Sequence, residues 1–211
     1  MNEVKETGRI EAFSDGVFAV GITLLVLDIK VPTLPLINPR ISLIHELAVQ
    51  WPVYAAFITS FLTILVMWIN HHRIFGLIRR SDDGFLVLNG MLLLIVTVVP
   101  FSTSLVAAYI VSPGARTAVL VYAGTCEVLA LCFNGLWRYA SKDGRLLARD
   151  HDALVAHGIT KSYRHGPLMY VIAFALGLVN AMAGIGMCLA LAVFFTIPPA
   201  KHVAKHTSRT V

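Results

Sequence analysis

The chain has 211 residues, 57% of them hydrophobic and 14% charged, against about 25% charged for an ordinary soluble domain. That balance excludes a soluble enzyme. A spanning helix needs about 20 predominantly apolar residues, so this length holds six or seven spans and no large soluble domain.

The first twelve residues, MNEVKETGRIEA, are polar and mixed in charge, and they lead into FSDGVFAVGITLLVLDI. A cleavable leader would show a basic start, a short apolar core and a small-residue cleavage site. Here Asp15 heads the run and Asp28-Ile-Lys-Val-Pro32 closes it, so an uncleaved first span over 13–31 is expected. Pro32, Pro35 and Pro39 stop its continuation, and 42–50 reads as a short interfacial helix. The second span covers 51–70 and ends in Asn70-His71-His72-Arg73. The third, 85–110, contains Pro100, which a helix in lipid tolerates when neighbours satisfy the freed carbonyl. Ser112-Pro113-Gly114 is a turn, and a fourth span covers 115–138 with one internal acid, Glu127. Residues 139–165 are the most polar stretch and read as a loop holding a short amphipathic helix. The last apolar block is too long for one span, and Asn180 with the small residues after it divides it into 167–181 and 183–199. The expectation is an all-α integral membrane protein, 1–211 forming a single six-helix membrane domain. Cys126, Cys132 and Cys188 all lie in apolar runs and read as buried free thiols.

The net charge of +5 would suggest a nucleic-acid binder in a soluble chain, but in a membrane protein basic residues first report topology; no nucleic-acid partner is expected. Six spans put on one side Lys5, Arg9, Arg73, Arg79, Arg80, Arg138, Lys142, Arg145, Arg149, Lys161, Arg164, Lys201, Lys205 and Arg209. The other side keeps Lys30, Arg40 and Arg116. This is fourteen against three, a strong positive-inside bias. Merging the last two spans would weaken it to eleven against six. A multi-pass protein of the cell (plasma) membrane with both termini cytoplasmic is expected.

At about 100° per residue along the first span, Phe13, Gly16, Val20, Thr23, Leu24 and Leu27 share one arc, and Asp15 falls about 140° from Val20. A stripe of branched apolar residues with one hydroxyl can line a dry constriction that gates by dewetting. It can equally be an ordinary packing face, and periodicity does not separate the two.

The string Arg9-Ile-Glu-Ala-Phe13-Ser14-Asp15-Gly16, followed by VFAVGITLLVLDIKVP, resembles the opening of the transmembrane protein 175 family, the endosomal and lysosomal potassium channels and their bacterial homologues. Trp68-Ile-Asn-His71-His72-Arg73 and Pro100-Phe101-Ser102-Thr103 match further. The match covers the first half of the chain; the second half agrees in hydropathy and span count. The resemblance implies a potassium-permeable channel, modestly selective for K⁺ over Na⁺, with K⁺ as permeant and no cofactor. It also implies a homotetramer whose pore is lined by the first helix around a symmetry axis. By position, the hydrophobic constriction falls on Val20, Leu24 and Leu27, and the selectivity-linked hydroxyl layer on Thr23. Val20 stands where the family usually has the larger Ile or Leu, which widens that ring. The TVGYG carbonyl filter of ordinary potassium channels is absent from the sequence.

The family motif also supplies partners for Asp15, since an acid near a membrane boundary is costly unless paired. Arg9, Phe13, Ser14, Asp15, Trp68 and His72 are expected to form a structural and gating cluster tying the first span to the second. Adjacent histidines on a helix project about 100° apart, so His71 and His72 are not expected to share a metal. Glu127 is either a functional mid-membrane acid or a packing residue facing Asn134 or Asn180. A proton-coupled secondary cation transporter, carried by Glu127 and the histidines, is the alternative reading, although no inverted repeat is evident. An integral-membrane enzyme would need a clustered polar site that the sequence lacks.

Overall fold

A computed structural model describes residues 4–32, 42–148 and 153–196. Helix α1 spans Val4–Leu24 and tightens into a 3₁₀ turn at Leu25–Asp28. The short α2 (Leu43–Val49) precedes α3 (Trp51–Phe75), α4 (Asp83–Tyr109), α5 (Ala115–Ser141), α6 (Ala153–Val179) and α7 (Ala181–Thr196). Among the described residues four helical segments are long and apolar enough to cross a membrane: 7–28, 51–75, 83–109 and 115–144. Pro35, Pro39, Arg40, Arg149, the end of the last expected span at 197–199, Lys201, Lys205 and Arg209 lie outside the described residues.

The helix ends follow from local chemistry. Ser42 caps α2 by accepting the His45 N–H at 3.2 Å, and Pro52 stands in the first turn of α3, where its missing N–H is harmless. Asp82 caps α4 by accepting the Phe85 N–H at 2.9 Å. Beyond α5, Asp143 and Gly144 take φ of 55° and 67°, the left-handed conformation that ends helices. Asn180 alone separates α6 from α7, and its side chain accepts the Ala183 N–H at 3.1 Å. There the two helices meet closely: a Cβ on Gly184 would lie 2.7 Å from the Gly177 Cα.

Helix α1 packs on α3 and α4 through Ser14, Phe18, Gly21 and Leu25, all buried. These residues recur every three or four positions, the period of a single helix face. At one end Trp68 of α3 and Asn89 of α4 meet the start of α1; at the other, Ser104 of α4 donates to Asp28 at 2.6 Å. The first helix therefore runs parallel to α4 and antiparallel to α3. In the core, the Tyr122 hydroxyl lies 3.2 Å from Ser60 Oγ and 3.3 Å from Thr63 Oγ1, while Thr103 donates to Ser60 at 2.7 Å. The polar groups of three helices thus satisfy one another, as groups removed from water must. Cys126 and Cys188 are buried, Cys132 is half-buried, and all three are free thiols.

Two boundaries differ from the sequence reading. Helix α3 continues to Phe75 rather than stopping near 70, because His71, Ile74 and Phe75 face the core. The expected loop over 139–165 is mostly helix: α5 persists to Ser141 and α6 begins at Ala153 and runs unbroken past Pro167. The expected short amphipathic helix is therefore the first half of α6, held to α5 by Trp137 Nε1 donating to Thr160 Oγ1 at 2.8 Å. Proline has no N–H to give the carbonyl four residues back, here Tyr163. The Asn134 side chain of α5 donates to that carbonyl instead.

Candidate functional site

The two faces of α1 are unlike. Phe18 and Leu25 are 1% and 0% exposed, while Val20, Leu24 and Leu27 on the opposite side are 56%, 42% and 60% exposed. Gly16 and Thr23 are exposed beside them, and so is Phe13, the first residue of the stripe. Among the described residues the chain's own helices leave this stripe uncovered. Leu27 lies in the 3₁₀ turn, where residues three apart eclipse, so it stands directly over Leu24. Thr23 donates its hydroxyl to the Val20 carbonyl at 3.0 Å, which leaves the two oxygen lone pairs free to accept or to face a cation.

The expected motif cluster divides between two sides of α1. On the outer side, Trp68 Nε1 donates to Asp15 Oδ1 at 2.8 Å. His72 stacks on Trp68 with ring centroids 6.2 Å apart and pairs through Nδ1 with Glu11 Oε1 at 3.0 Å. Ser14 is buried on the inner side, away from Asp15; it donates to the Ile10 carbonyl at 2.8 Å and accepts from Asn89 Nδ2 at 3.0 Å. Neither Arg9 nor Phe13 joins: both are exposed, and Arg9 makes no hydrogen bond or ion pair among the described residues.

Glu11, Asn89 and His71 are the members that sequence reasoning missed. His71 is fully buried, 3.0 Å from Asn89 Oδ1 through Nε2, with Phe75 stacked on it at 4.3 Å and Phe18 tilted at 5.3 Å. His72 points outward, so the adjacent pair diverges as helical spacing requires. The described residues hold no group of three or more His, Cys, Asp or Glu side chains placed around a metal ion. Asn134 and Asn180 bond to the Tyr163 carbonyl and the Ala183 N–H, and the Glu127 Oε2 is buried without a hydrogen-bond partner among the described residues.

Outside the membrane-spanning helices, Asp82 anchors a loop junction. Besides capping α4 it accepts from Tyr139 Oη at 3.0 Å and pairs with Arg145 at 2.8 Å. The Phe85 N–H above all, then the Tyr139 hydroxyl and the Arg145 charge, hold its carboxyl below the usual carboxylate range. Beside it, Ile78 and Leu147 form a β-bridge that ties the α3–α4 loop to the α5–α6 loop.

Residues 9–100 match the family model described as the endosomal/lysosomal potassium channel TMEM175. A potassium channel of Chamaesiphon minutus is 51% identical over 92% of this chain and 96% of its own length. One from Streptomyces collinus is 41% identical over 84% of this chain and 85% of its own. The crystal structure of a lysosomal potassium-selective channel TMEM175 homolog from Chamaesiphon minutus superposes with a TM-score of 0.81 at 50% identity, covering 90% of this chain and 96% of that one. The likeness thus extends through the second half, where the sequence offered only hydropathy. The chain belongs to the TMEM175 family, whose members are membrane ion channels and not enzymes.

Proposed function

We propose that this protein is a potassium-permeable channel, modestly selective for K⁺ over Na⁺, whose pore forms where the first helices of four identical chains meet on a symmetry axis. The observation that carries this reading is the uncovered stripe of α1. Val20, Leu24 and Leu27 stay exposed while the opposite face is sealed into α3 and α4, and among the described residues no other helix lies over them. Apolar rings of this kind hold back water and ions until they widen. Thr23 Oγ1 supplies an oxygen layer that replaces part of the hydration shell of a passing cation. The relatives of similar length named as potassium channels support K⁺ as the permeant. The cluster of Asp15, Trp68, His72 and Glu11 sets the tilt of the pore helix on α3, while Ser14, Asn89 and His71 lock its inner face. The distribution of basic residues in the sequence supports an orientation in the plasma membrane with both termini in the cytoplasm.

A coupled transporter finds less support. Its titratable carriers would be Glu127 and the histidines, and Glu127 stands on α5, which among the described residues packs chiefly against α4 and α6 rather than α1. The test is reconstitution of the purified chain in liposomes under a K⁺ gradient with no proton gradient. Downhill K⁺ flux above roughly 10³ ions per second per pore exceeds the common turnover of carriers and enzymes and is the expected result; flux that appears only with an imposed proton gradient overturns the reading.

A further inference from the structure

Between α3, α5, α6 and α7 lies a narrow apolar cleft, open to the surface, with a cavity volume of about 40 Å³. Met67, Phe133, Pro167, Tyr170 and Phe195 form its walls. Its one polar end is made by Asn70 and Asn134, whose side chains are already engaged with Arg73 and the Tyr163 carbonyl. The cleft therefore offers little hydrogen bonding along its length and suits a hydrocarbon chain.

The charges at that polar end specify what such a chain is attached to. Arg73 follows Asn70 by three residues on α3 and donates to its Oδ1 at 3.4 Å; Arg138 follows Asn134 by four residues on α5, on the same side of the helix. Arg164 adjoins Tyr163 on α6 and is exposed, as is Arg138. None of the three has a carboxylate partner among the described residues, and Glu127, about two turns before Asn134 on α5, does not line the cleft. Arginines from separate helices beside an apolar slot match a phosphodiester joined to an acyl chain, since guanidinium holds phosphate oxygens bidentately. They also stand at the end of the bundle where the basic loops gather, the side on which anionic lipids are recognised.

We infer that this cleft is a binding site for an anionic phospholipid, with one acyl chain in the slot and the phosphate held by Arg73 and Arg138 and flanked by Arg164. The site is separate from the α1 stripe, so it stands whether or not the chain conducts K⁺.

Native mass spectrometry of the purified full chain, given equal amounts of phosphatidylglycerol and phosphatidylcholine with identical acyl chains, tests it. The expected result is at least fivefold preferential retention of phosphatidylglycerol. In R73Q/R138Q that ratio falls to about one, and in Ala130→Phe, which pushes a ring into the slot, retention of both lipids drops. Equal retention by the unmodified chain, or an unchanged ratio in R73Q/R138Q, overturns the proposal. The unmodified chain alone gives a second reading if the double variant fails to fold. Raising the salt from 0.1 to 1 M shortens the screening length from about 10 to about 3 Å and should bring the preference close to one. A preference indifferent to salt overturns a charge-held headgroup.

Discussion

The side-chain amide of Asn89 fixes the protonation pattern of His71. Ser14 gives its only hydroxyl proton to the Ile10 carbonyl, so it can only accept from Asn89, whose Nδ2 donates to it at 3.0 Å. That orientation leaves Oδ1 facing His71 Nε2 at 3.0 Å, and the ring nitrogen must carry the proton. One serine on α1 thereby sets the tautomer of a histidine on α3 through a residue of α4. Removing Asn89 strands the buried His71 Nε2–H and deprives the buried Ser14 oxygen of its donor. Asn89→Leu should destabilise the folded channel by about 1–3 kcal/mol, the penalty for leaving such groups unpaired. Combining it with Ser14→Ala should cost less than the sum of the two, because both break one network. Thermal unfolding of the purified variants measures this, and strict additivity would contradict the relay.

The carbonyl of Tyr163 offers a rescue experiment. Asn134→Leu takes away its donor and should cost on the order of 1 kcal/mol, the scale of interhelical hydrogen bonds in membrane proteins. Replacing Pro167 by Ala returns an N–H to the same carbonyl. Asn134→Leu/Pro167→Ala should therefore be more stable than Asn134→Leu alone, whereas a proline held only by packing would show no recovery in the unfolding midpoint.

The hairpin of α6 and α7 tests the small-residue contact. A Cβ at Gly184 would meet the Gly177 Cα at 2.7 Å and its amide nitrogen at 2.9 Å, and backbone cannot step aside without moving a helix. Gly184→Ala should destabilise by about 1–3 kcal/mol as overpacking does. Gly186 has nothing within 4 Å of a built Cβ, so Gly186→Ala should be neutral or slightly stabilising, alanine being the better helix former. Unfolding midpoints in the reverse order would refute close packing here.

Asp82 predicts a pH window. Its folded carboxyl titrates below its ordinary value of 3.8, so the stability it adds is complete above that value and is lost as the pH falls through the lower folded one. Asp82→Asn keeps an oxygen for the Phe85 N–H but gives up the charge facing Arg145. The stability gap between the native chain and Asp82→Asn should hold constant from pH 7 to about pH 5 and close below about pH 4. Thermal midpoints across that range report it, and a gap that persists in acid would separate Asp82 from Arg145.

What the sequence made legible was whatever depends on one helix at a time. The stripe from Phe13 to Leu27 is a period, and periods are visible without partners. Ser14 and Asp15 were grouped because they are neighbours in a motif, yet adjacent helical residues point about 100° apart, so one entered the core and the other faced Trp68. The sequence offers His71 a metal or a transported proton as its business; its partner in the fold, Asn89, is 18 residues away on another helix, and no local pattern marks it. The start of α6 was hidden because its polar first half owes its helicity to α5, through Thr160 and Tyr163. Pro167 then looked like a boundary, since the residue that compensates for it, Asn134, lies on a different helix.

The proposed constriction yields a graded prediction. If Val20, Leu24 and Leu27 are successive apolar rings, the free energy of wetting each depends on its width and on its polarity, and the narrowest dominates. Val20 is the smallest side chain of the three, so its ring is the widest and should control flux least. Val20→Ile adds a methylene to each of the facing chains and should lower K⁺ flux into liposomes, while leaving the K⁺ to Na⁺ permeability ratio close to its native value. Leu24→Ser replaces an apolar ring with hydroxyls one turn beyond Val20 and should raise resting flux about tenfold or more, equivalent to removing about 1.4 kcal/mol from the barrier. Thr23→Ala, by contrast, should alter the permeability ratio, because it deletes oxygen without changing the apolar rings. Flux unmoved by Leu24→Ser would place the barrier elsewhere, and a ratio unmoved by Thr23→Ala would take that oxygen out of selectivity.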